Sequence, residues 1–159
     1  FLAQDTVILK RIIYSWFKLI LPVKLGGVQN VISEFQITLH SRDLLLLRKI
    51  HFFFGIGLVG EREDRNQAYY SVQSARAIVN VIIPHFDRYS LITQKRADYL
   101  LFKQAVNLLI QGQARSSSEG ICDILSLKGS MNKGLSDTLK INFPAILPLP
   151  LYFFPPSFF

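Results

Sequence analysis

Cysteine, methionine and tryptophan occur once each in 159 residues. A single thiol, Cys122, excludes an internal disulfide framework and a cysteine-based zinc site. Acids are scarce beside bases: 11 Asp+Glu against 18 Lys+Arg leave a net charge of +7. A basic balance of that size fits a polyanionic partner, either nucleic acid or an anionic membrane surface. Unbroken apolar runs of spanning length are also missing, although mean hydropathy is +0.28. The most apolar stretch, Thr6 to Val23, is interrupted by Lys10, Arg11 and Lys18. A spanning helix needs about 20 mostly apolar residues, and each cation costs roughly 2.5–3.5 kcal/mol at its centre. The stretch therefore reads as a buried or interfacial amphipathic helix, and no membrane partner is expected. No small-residue cleavage site follows its apolar core, as a signal peptide would require. The chain opens on Phe1 rather than Met, so the expectation is a fragment, or an open frame without a start codon.

What is present is concentrated in the middle. Half the residues are hydrophobic, enough for a core. Residues 31–110 carry the densest charge and the clearest periodicity. Ser33 to His40 alternates, with Phe35, Ile37 and Leu39 on one face and Glu34, Gln36, Thr38 and His40 on the other, which predicts a half-buried strand. Ser41 reads as an N-cap for a helix over 42–54, with Asp43 in its first turn and Gly55 ending it. Residues 56–62 and 68–73 read as hairpin arms around the polar turn 63–67. In the second arm Tyr69, Ser71 and Gln73 share one face, and Tyr70 and Val72 the other. A helix over 75–83 is expected to stop at Pro84. Thr93 reads as the N-cap of a helix over 94–111. Ser116 and Glu119 read as a capping box opening a helix over 117–129, with Cys122 as a small core residue. A short helical turn follows Ser136. Strand, helix, two strands and then helices make an α+β fold, a small antiparallel sheet backed by helices. The tail, with Pro148, Pro150, Pro155 and Pro156, cannot be helical. Its Phe- and Leu-rich composition is that of translated AT-rich DNA and hints at an organellar genome.

Common chemical motifs fail. Gly55-Ile56-Gly57-Leu58-Val59-Gly60 matches G-x-G-x-x-G, but a dinucleotide site needs a strand before the glycines and a helix after them. Here the order is reversed. His40, His51 and His85 lack metal-ligand spacing, and surface or hydrogen-bonded histidines are the simpler account.

The run Glu34-Phe35-Gln36-Ile37-Thr38-Leu39-His40, then Asp43-Leu44 and Phe54-Gly55-Ile56-Gly57, resembles the organellar LAGLIDADG homing endonucleases. So do Ile83-Pro84-His85-Phe86-Asp87-Arg88-Tyr89, Leu91 to Tyr99, and Met131-Asn132-Lys133-Gly134-Leu135-Ser136. The resemblance covers residues 25–144 and implies an αββαββα half-saddle whose sheet lies on double-stranded DNA. It implies site-specific cleavage of both strands by metal-activated water, with Mg²⁺ as cofactor. On this reading residues 1–23 are a divergent segment, 24–144 a single, incomplete endonuclease repeat, and 145–159 a tail. A homodimer or a missing second repeat would complete the enzyme. The location implied is the mitochondrion, with the chloroplast as alternative.

By position in that fold, DNA contacts are expected from Gln36, Thr38, His40, Arg62, Tyr69, Ser71, Gln73 and Lys95. Lys95 matches a basic residue near the scissile phosphate, and Gln36 a position near the active centre that helps order water, so both are the catalytic candidates. No L-A-G-x-x-D-G-E-G segment precedes Lys24, and Asp5 is the only acid before Glu34. A cation and an amide cannot hold Mg²⁺, so no metal ligands are assigned and the chain alone is expected to be inactive. The competing expectations are a maturase-like protein that binds its host intron RNA and a non-functional relic frame.

Overall fold

The computed structural model describes residues 17–21, 23–24, 27–28, 30–92, 94–112, 118–131 and 134–148. The expectations for Asp5, Thr93, Ser116 and the Pro150–Phe159 tail lie outside these residues. The chain gathers into two compact units: residues 17–18 with 34–92, and the described residues of 19–33 with those of 93–148.

Strands β1 (Phe17–Ile20), β4 (Ile32–His40), β5 (Leu58–Arg62) and β6 (Gln67–Val72) build one sheet in the order β1-β4-β6-β5. Strands β2 (Val23–Lys24) and β3 (Gly27–Val28) pair antiparallel as a separate ribbon. Helix α1 (Leu44–Phe54) connects β4 to β5, and β6 leads into α2 (Ala75–Ala77) and α3 (Ile83–Arg88). The second unit holds α4 (Gln94–Ile110), α5 (Ser118–Ser130) and α6 (Asp137–Asn142). This is the expected α+β arrangement. Among the described residues no helix is long and apolar enough to cross a membrane.

Phe17–Ile20 corrects the end of the expected amphipathic helix, of which residues 6–16 lie outside the described residues. Burial there alternates, with Phe17 and Leu19 buried, Lys18 half-buried and Ile20 exposed, which is the period of a strand. The Phe17 ring lies 5.5 Å from that of Phe35 and 5.6 Å from that of Phe86, so the strand is held by aromatic packing.

Ser41 does not cap α1. Ser41–Asp43 form a 3₁₀ turn, and the His40 ring caps it by accepting the Arg42 N–H at Nδ1, 3.2 Å away. Helix α1 then buries Leu47, Ile50 and Phe54 and ends at Gly55 (φ 67°), whose N–H donates to the His51 carbonyl. The left-handed glycine is the expected stop. Gly57 (φ 84°) makes the tight entry into β5, where an added Cβ would lie 2.6 Å from the Ser71 carbonyl oxygen.

Pro84 does not end the helix that follows β6. Ser74 caps α2 through the Ala77 N–H, and Ile78–Ile82 widen into a π-turn closed by the Ile83 N–H on the Ile78 carbonyl. The wide turn takes up the donor that proline lacks, and Pro84 becomes an early residue of α3. Cys122 is exposed rather than core, because α5 turns Ile124, Leu125 and Leu127 inward.

The core of the first unit is aromatic. Phe35 makes edge contacts with Phe54, Tyr70 and Phe86, at 6.3, 6.2 and 5.7 Å between centroids. Tyr70 is fully buried, and its hydroxyl donates to the Ile56 carbonyl at 2.9 Å. Burial pushes its pKa well above the ordinary tyrosine value. His85 sits among the rings of Phe53, Phe54, Phe86 and Tyr89, each 5.1–5.5 Å away. The residue is half-buried, and its buried Nε2 has no hydrogen-bond partner among the described residues.

Desolvation holds the His85 pKa below its ordinary 6.5. The folded state therefore resists protonation, while the unfolded state binds the proton at the ordinary value. Stability is retained above that value and lost as pH falls below it. The urea midpoint of the native chain should fall between about pH 6.5 and 5 more steeply than that of His85→Phe. Parallel pH curves would mean that His85 charges freely in the folded state.

Candidate nucleic-acid interface

Antiparallel pairing sorts the sheet residues into two faces. In the β4–β6 register Gln36 is opposite Ser71, Thr38 opposite Tyr69, and His40 opposite Gln67. In the β5–β6 register Leu58 is opposite Ser71, Gly60 opposite Tyr69, and Arg62 opposite Gln67. Paired residues share a face, so three cross-strand rows form: Gln36-Ser71-Leu58, Thr38-Tyr69-Gly60 and His40-Gln67-Arg62. The intervening residues Phe35, Ile37, Tyr70 and Val72 are buried on the opposite face. Of the expected contacts, Gln36, Thr38, His40, Arg62, Tyr69 and Ser71 lie on this polar face, and Gln73 follows the end of β6. Leu58, apolar on this polar face, is 54% exposed.

The rows are not uniformly solvated, which corrects the expectation of an accessible face at Gln36 and Ser71. Both are buried, at 3% and 4% exposure, with Glu34 at 6%. The Glu34 carboxylate organises them. Its Oε1 accepts from the Ser71 hydroxyl at 2.7 Å and from the Gln73 amide at 3.0 Å. Its Oε2 lies 3.9 Å from the Lys18 ammonium, which also donates to Gln36 Oε1. A buried carboxylate would be costly alone; here it has two neutral donors and a half-buried cation. With the Gln36 oxygen taken by Lys18, the amide nitrogen is the end of that side chain left to donate.

Away from the cluster the face opens. His40 and Arg62 are exposed. Because His40 accepts at Nδ1, its ring proton resides on Nε2. The Arg62 guanidinium carbon is 5.0 Å from the Tyr69 ring centroid. The face therefore presents donors and a cation, suited to phosphates and base edges.

Lys95 belongs to the second unit, in the first turn of α4. Its ammonium is 3.8 Å from the Asp98 carboxylate one turn on, and Asp98 is buried at 4% exposure. The carboxylate offsets the unfavourable meeting of a cation with a helix N-terminus. Lys95 and Gln36 lie in different units, each described by itself.

Metal binding finds little support in the described residues. No group of three or more His, Cys, Asp or Glu side chains gathers there to hold an ion. Mg²⁺ needs several hard oxygen ligands. The one buried acid on the polar face, Glu34, is already bound to Ser71, Gln73 and Lys18.

Four residues of this face were given no site role from the sequence. Glu34 shares the period of Gln36 and was legible as a face residue. Gln67 was assigned to the turn, although it is the first residue of β6. Lys18 could be found only by knowing that residues 17–20 are a strand. Gly60 carries no signal of its own until its partner Tyr69 is known.

The LAGLIDADG endonuclease family profile matches residues 20–106. The chain belongs to the LAGLIDADG endonuclease family. Two curated relatives from Neurospora crassa, described as probable intron-encoded endonucleases 2 and 3, are 40% and 42% identical over 76% and 73% of this chain. The chain spans only 26% and 22% of their length. The homing endonuclease I-SmaMI bound to cleaved DNA superposes with a TM-score of 0.81 at 33% identity, covering 94% of this chain and 49% of that one. The meganuclease I-CpaMI bound to uncleaved DNA gives a TM-score of 0.77 at 29% identity, over 84% and 46%. A calcium-containing complex of I-SmaMI with uncleaved DNA superposes similarly, at 0.78. The LAGLIDADG fold expected for this chain is thus present, over about half the length of these solved structures.

Replacing Glu34 should be expensive, since it strands two donors and a cation. Glu34→Ala is expected to lower stability by about 3 kcal/mol, and Lys18→Met by about 1–3 kcal/mol, because it leaves the buried carboxylate without its cation. Urea denaturation of the two variants measures this. Equal midpoints for native chain and Glu34→Ala would remove the carboxylate from the centre of the cluster.

Proposed function

We propose that this chain is the DNA-recognising half of an intron-encoded homing endonuclease, with the polar sheet face lying along a specific double-stranded site. The observation that carries the reading is the register. It places Gln36, Thr38, His40, Arg62, Tyr69 and Ser71 on one face of a family fold whose solved relatives hold DNA. The net charge of +7 supplies the long-range attraction to phosphate. A sheet face also fits duplex DNA better than duplex RNA. The B-form major groove admits β-structure, whereas the A-form major groove is too narrow for side chains to read.

Binding divides by residue. His40, Arg62, Tyr69 and Thr38 contact base edges and phosphates, with Gln73 at the margin. Gln36, fixed by Lys18, offers its amide nitrogen toward the reacting region. Lys95 places positive charge near the phosphate that is cut, where it would stabilise charge developing in the transition state. In the family Mg²⁺ would activate the attacking water. Among the described residues no group of three or more His, Cys, Asp or Glu side chains gathers to hold it. We infer that cutting both strands needs a second half, contributed by a second copy or by a second repeat. A mitochondrial location is proposed from the intron-encoded relatives, which include a Podospora anserina protein in ND4 intron 1.

Fluorescence anisotropy with duplex DNA enriched from a randomised pool should show specific binding that weakens steeply with salt. With about six phosphate contacts the loss is about 10³-fold between 50 and 200 mM salt. Lys95→Ala should reduce the slope of log affinity against log salt by about one and weaken all sequences alike. Enrichment of no sequence, or tighter binding of the host intron RNA, would overturn the reading. Plasmid carrying the enriched site should stay uncut by the chain alone in Mg²⁺. Cleavage lost on chelation would show that the chain carries a complete metal site.

A further inference from the structure

The edge of the polar face carries an arrangement that the general DNA-binding role does not require. Gly60 on β5 is the direct partner of Tyr69 on β6. A Cβ on Gly60 would lie 2.6 Å from both Cζ and Oη of Tyr69 and 2.9 Å from Cε1. The far end of the tyrosine ring therefore occupies the space over β5 that any other residue would fill. Two residues on, along the same face of β5, the Arg62 guanidinium carbon sits 5.0 Å from the centroid of that ring. The glycine lets the ring lean across the strand, and the ring gives the arginine a surface to rest on.

The charges nearby leave Arg62 available. Asp64 is engaged by Arg65 at 3.3 Å. Glu61 alternates to the opposite face of β5, opposite Ala68. Arg62 makes no ion pair with another side chain among the described residues. A guanidinium stacked on an aromatic ring loses torsional freedom while keeping its donor fork. That fork matches guanine O6 and N7 in the major groove, the commonest specific contact to a base. A flexible exposed arginine would bind phosphate as well as base; one held by a ring at the sheet edge has fewer poses from which to choose.

We propose that Tyr69, leaning across Gly60, positions Arg62 to read one guanine of the target site, so that Arg62 sets specificity at that base pair and Tyr69 and Gly60 are its positioning residues. The proposal rests on the DNA-recognition reading and goes beyond it in assigning a base and a device. It separates Arg62 from Lys95, whose role is sequence-independent. Because the clash at Gly60 is with the end of a movable side chain, Gly60→Ala should fold with the ring displaced.

The test uses the full 159-residue chain. A randomised 24-base-pair duplex pool yields the preferred site, and anisotropy with every single-base-pair variant of that site gives a specificity profile for each protein. Arg62→Ala should lower the preference for G·C at one position by about 10-fold or more while other positions keep theirs. Arg62→Lys should not restore it, since an ammonium lacks the fork. Tyr69→Phe should retain the preference, whereas Gly60→Ala should reduce it several-fold with the rest of the profile intact, and Tyr69→Ala should reduce it as much while also losing the contact of the ring itself. A uniform loss across all positions in Arg62→Ala would make it a phosphate contact and overturn the assignment. An unchanged guanine preference in both Gly60→Ala and Tyr69→Ala would overturn the positioning device. A native chain that enriches no sequence would instead remove the DNA-recognition reading and the proposal with it.

Discussion

The pairing register of β4, β6 and β5 is the constraint on which the rest depends. A slip of one residue would bring Glu34, Gln36 and Thr38 to the core and send Phe35, Ile37 and Leu39 to the polar face. The register is pinned by the core. Phe35 meets Phe54, Tyr70 and Phe86, and Tyr70 is tied by its hydroxyl to the Ile56 carbonyl. Helix α1 adds Leu47 and Ile50, both buried. One apolar set therefore decides the fold and also decides which polar side chains face outward together. Recognition is in this sense a by-product of packing: the residues that read a ligand alternate with those that make the core.

The same face is built in two styles. Toward β1 the polar groups bind one another, with Glu34 at the centre and Lys18, Ser71 and Gln73 around it. Groups so engaged resist rearrangement, because releasing any one leaves a buried donor or charge unsatisfied. In the His40-Gln67-Arg62 row, His40 and Arg62 are exposed and engaged only by a turn and a ring. A rigid interior and an adaptable margin suit a surface that must hold its shape while individual side chains seek partners. Desolvation sets a similar contrast at His85, whose aromatic surroundings lower its pKa and link α1 to α3.

Much of this was legible in the sequence, and the failures have physical causes. The alternation of Ser33 to His40 and of Tyr69 to Gln73 declares one buried face each, and both strands are where period two places them. Gly55 declares the end of α1 because only glycine fits there without strain. Phe17–Ile20 escaped because four residues of an apolar run fit helix and strand equally. Pro84 misled because the rule that proline stops a helix assumes an α-turn before it, and a π-turn was there instead. Gln36 and Ser71 were placed on the correct face but expected to be solvated. Their burial depends on Lys18 and Glu34, which come together only through the sheet. Arg62 was identifiable as a residue of this face by its position; its platform was not, since Gly60 and Tyr69 become neighbours only through pairing.

The division between recognition and chemistry follows from charge. Reading DNA needs donors and cations spread along a surface, and this sheet has them. Cutting it with a metal needs several anionic oxygens gathered at one point, and among the described residues no group of three or more His, Cys, Asp or Glu side chains gathers to supply them. On the polar face the one buried carboxylate, Glu34, is consumed in neutralising Lys18 and accepting from Ser71 and Gln73. Freeing it for a metal would undo the contacts that order Gln36. The arrangement therefore favours metal ligands brought from elsewhere to the margin of the face, leaving the sheet itself to recognition. The coverage of about half of I-SmaMI is consistent with that division, because a duplex has two strands and each cut needs its own surroundings.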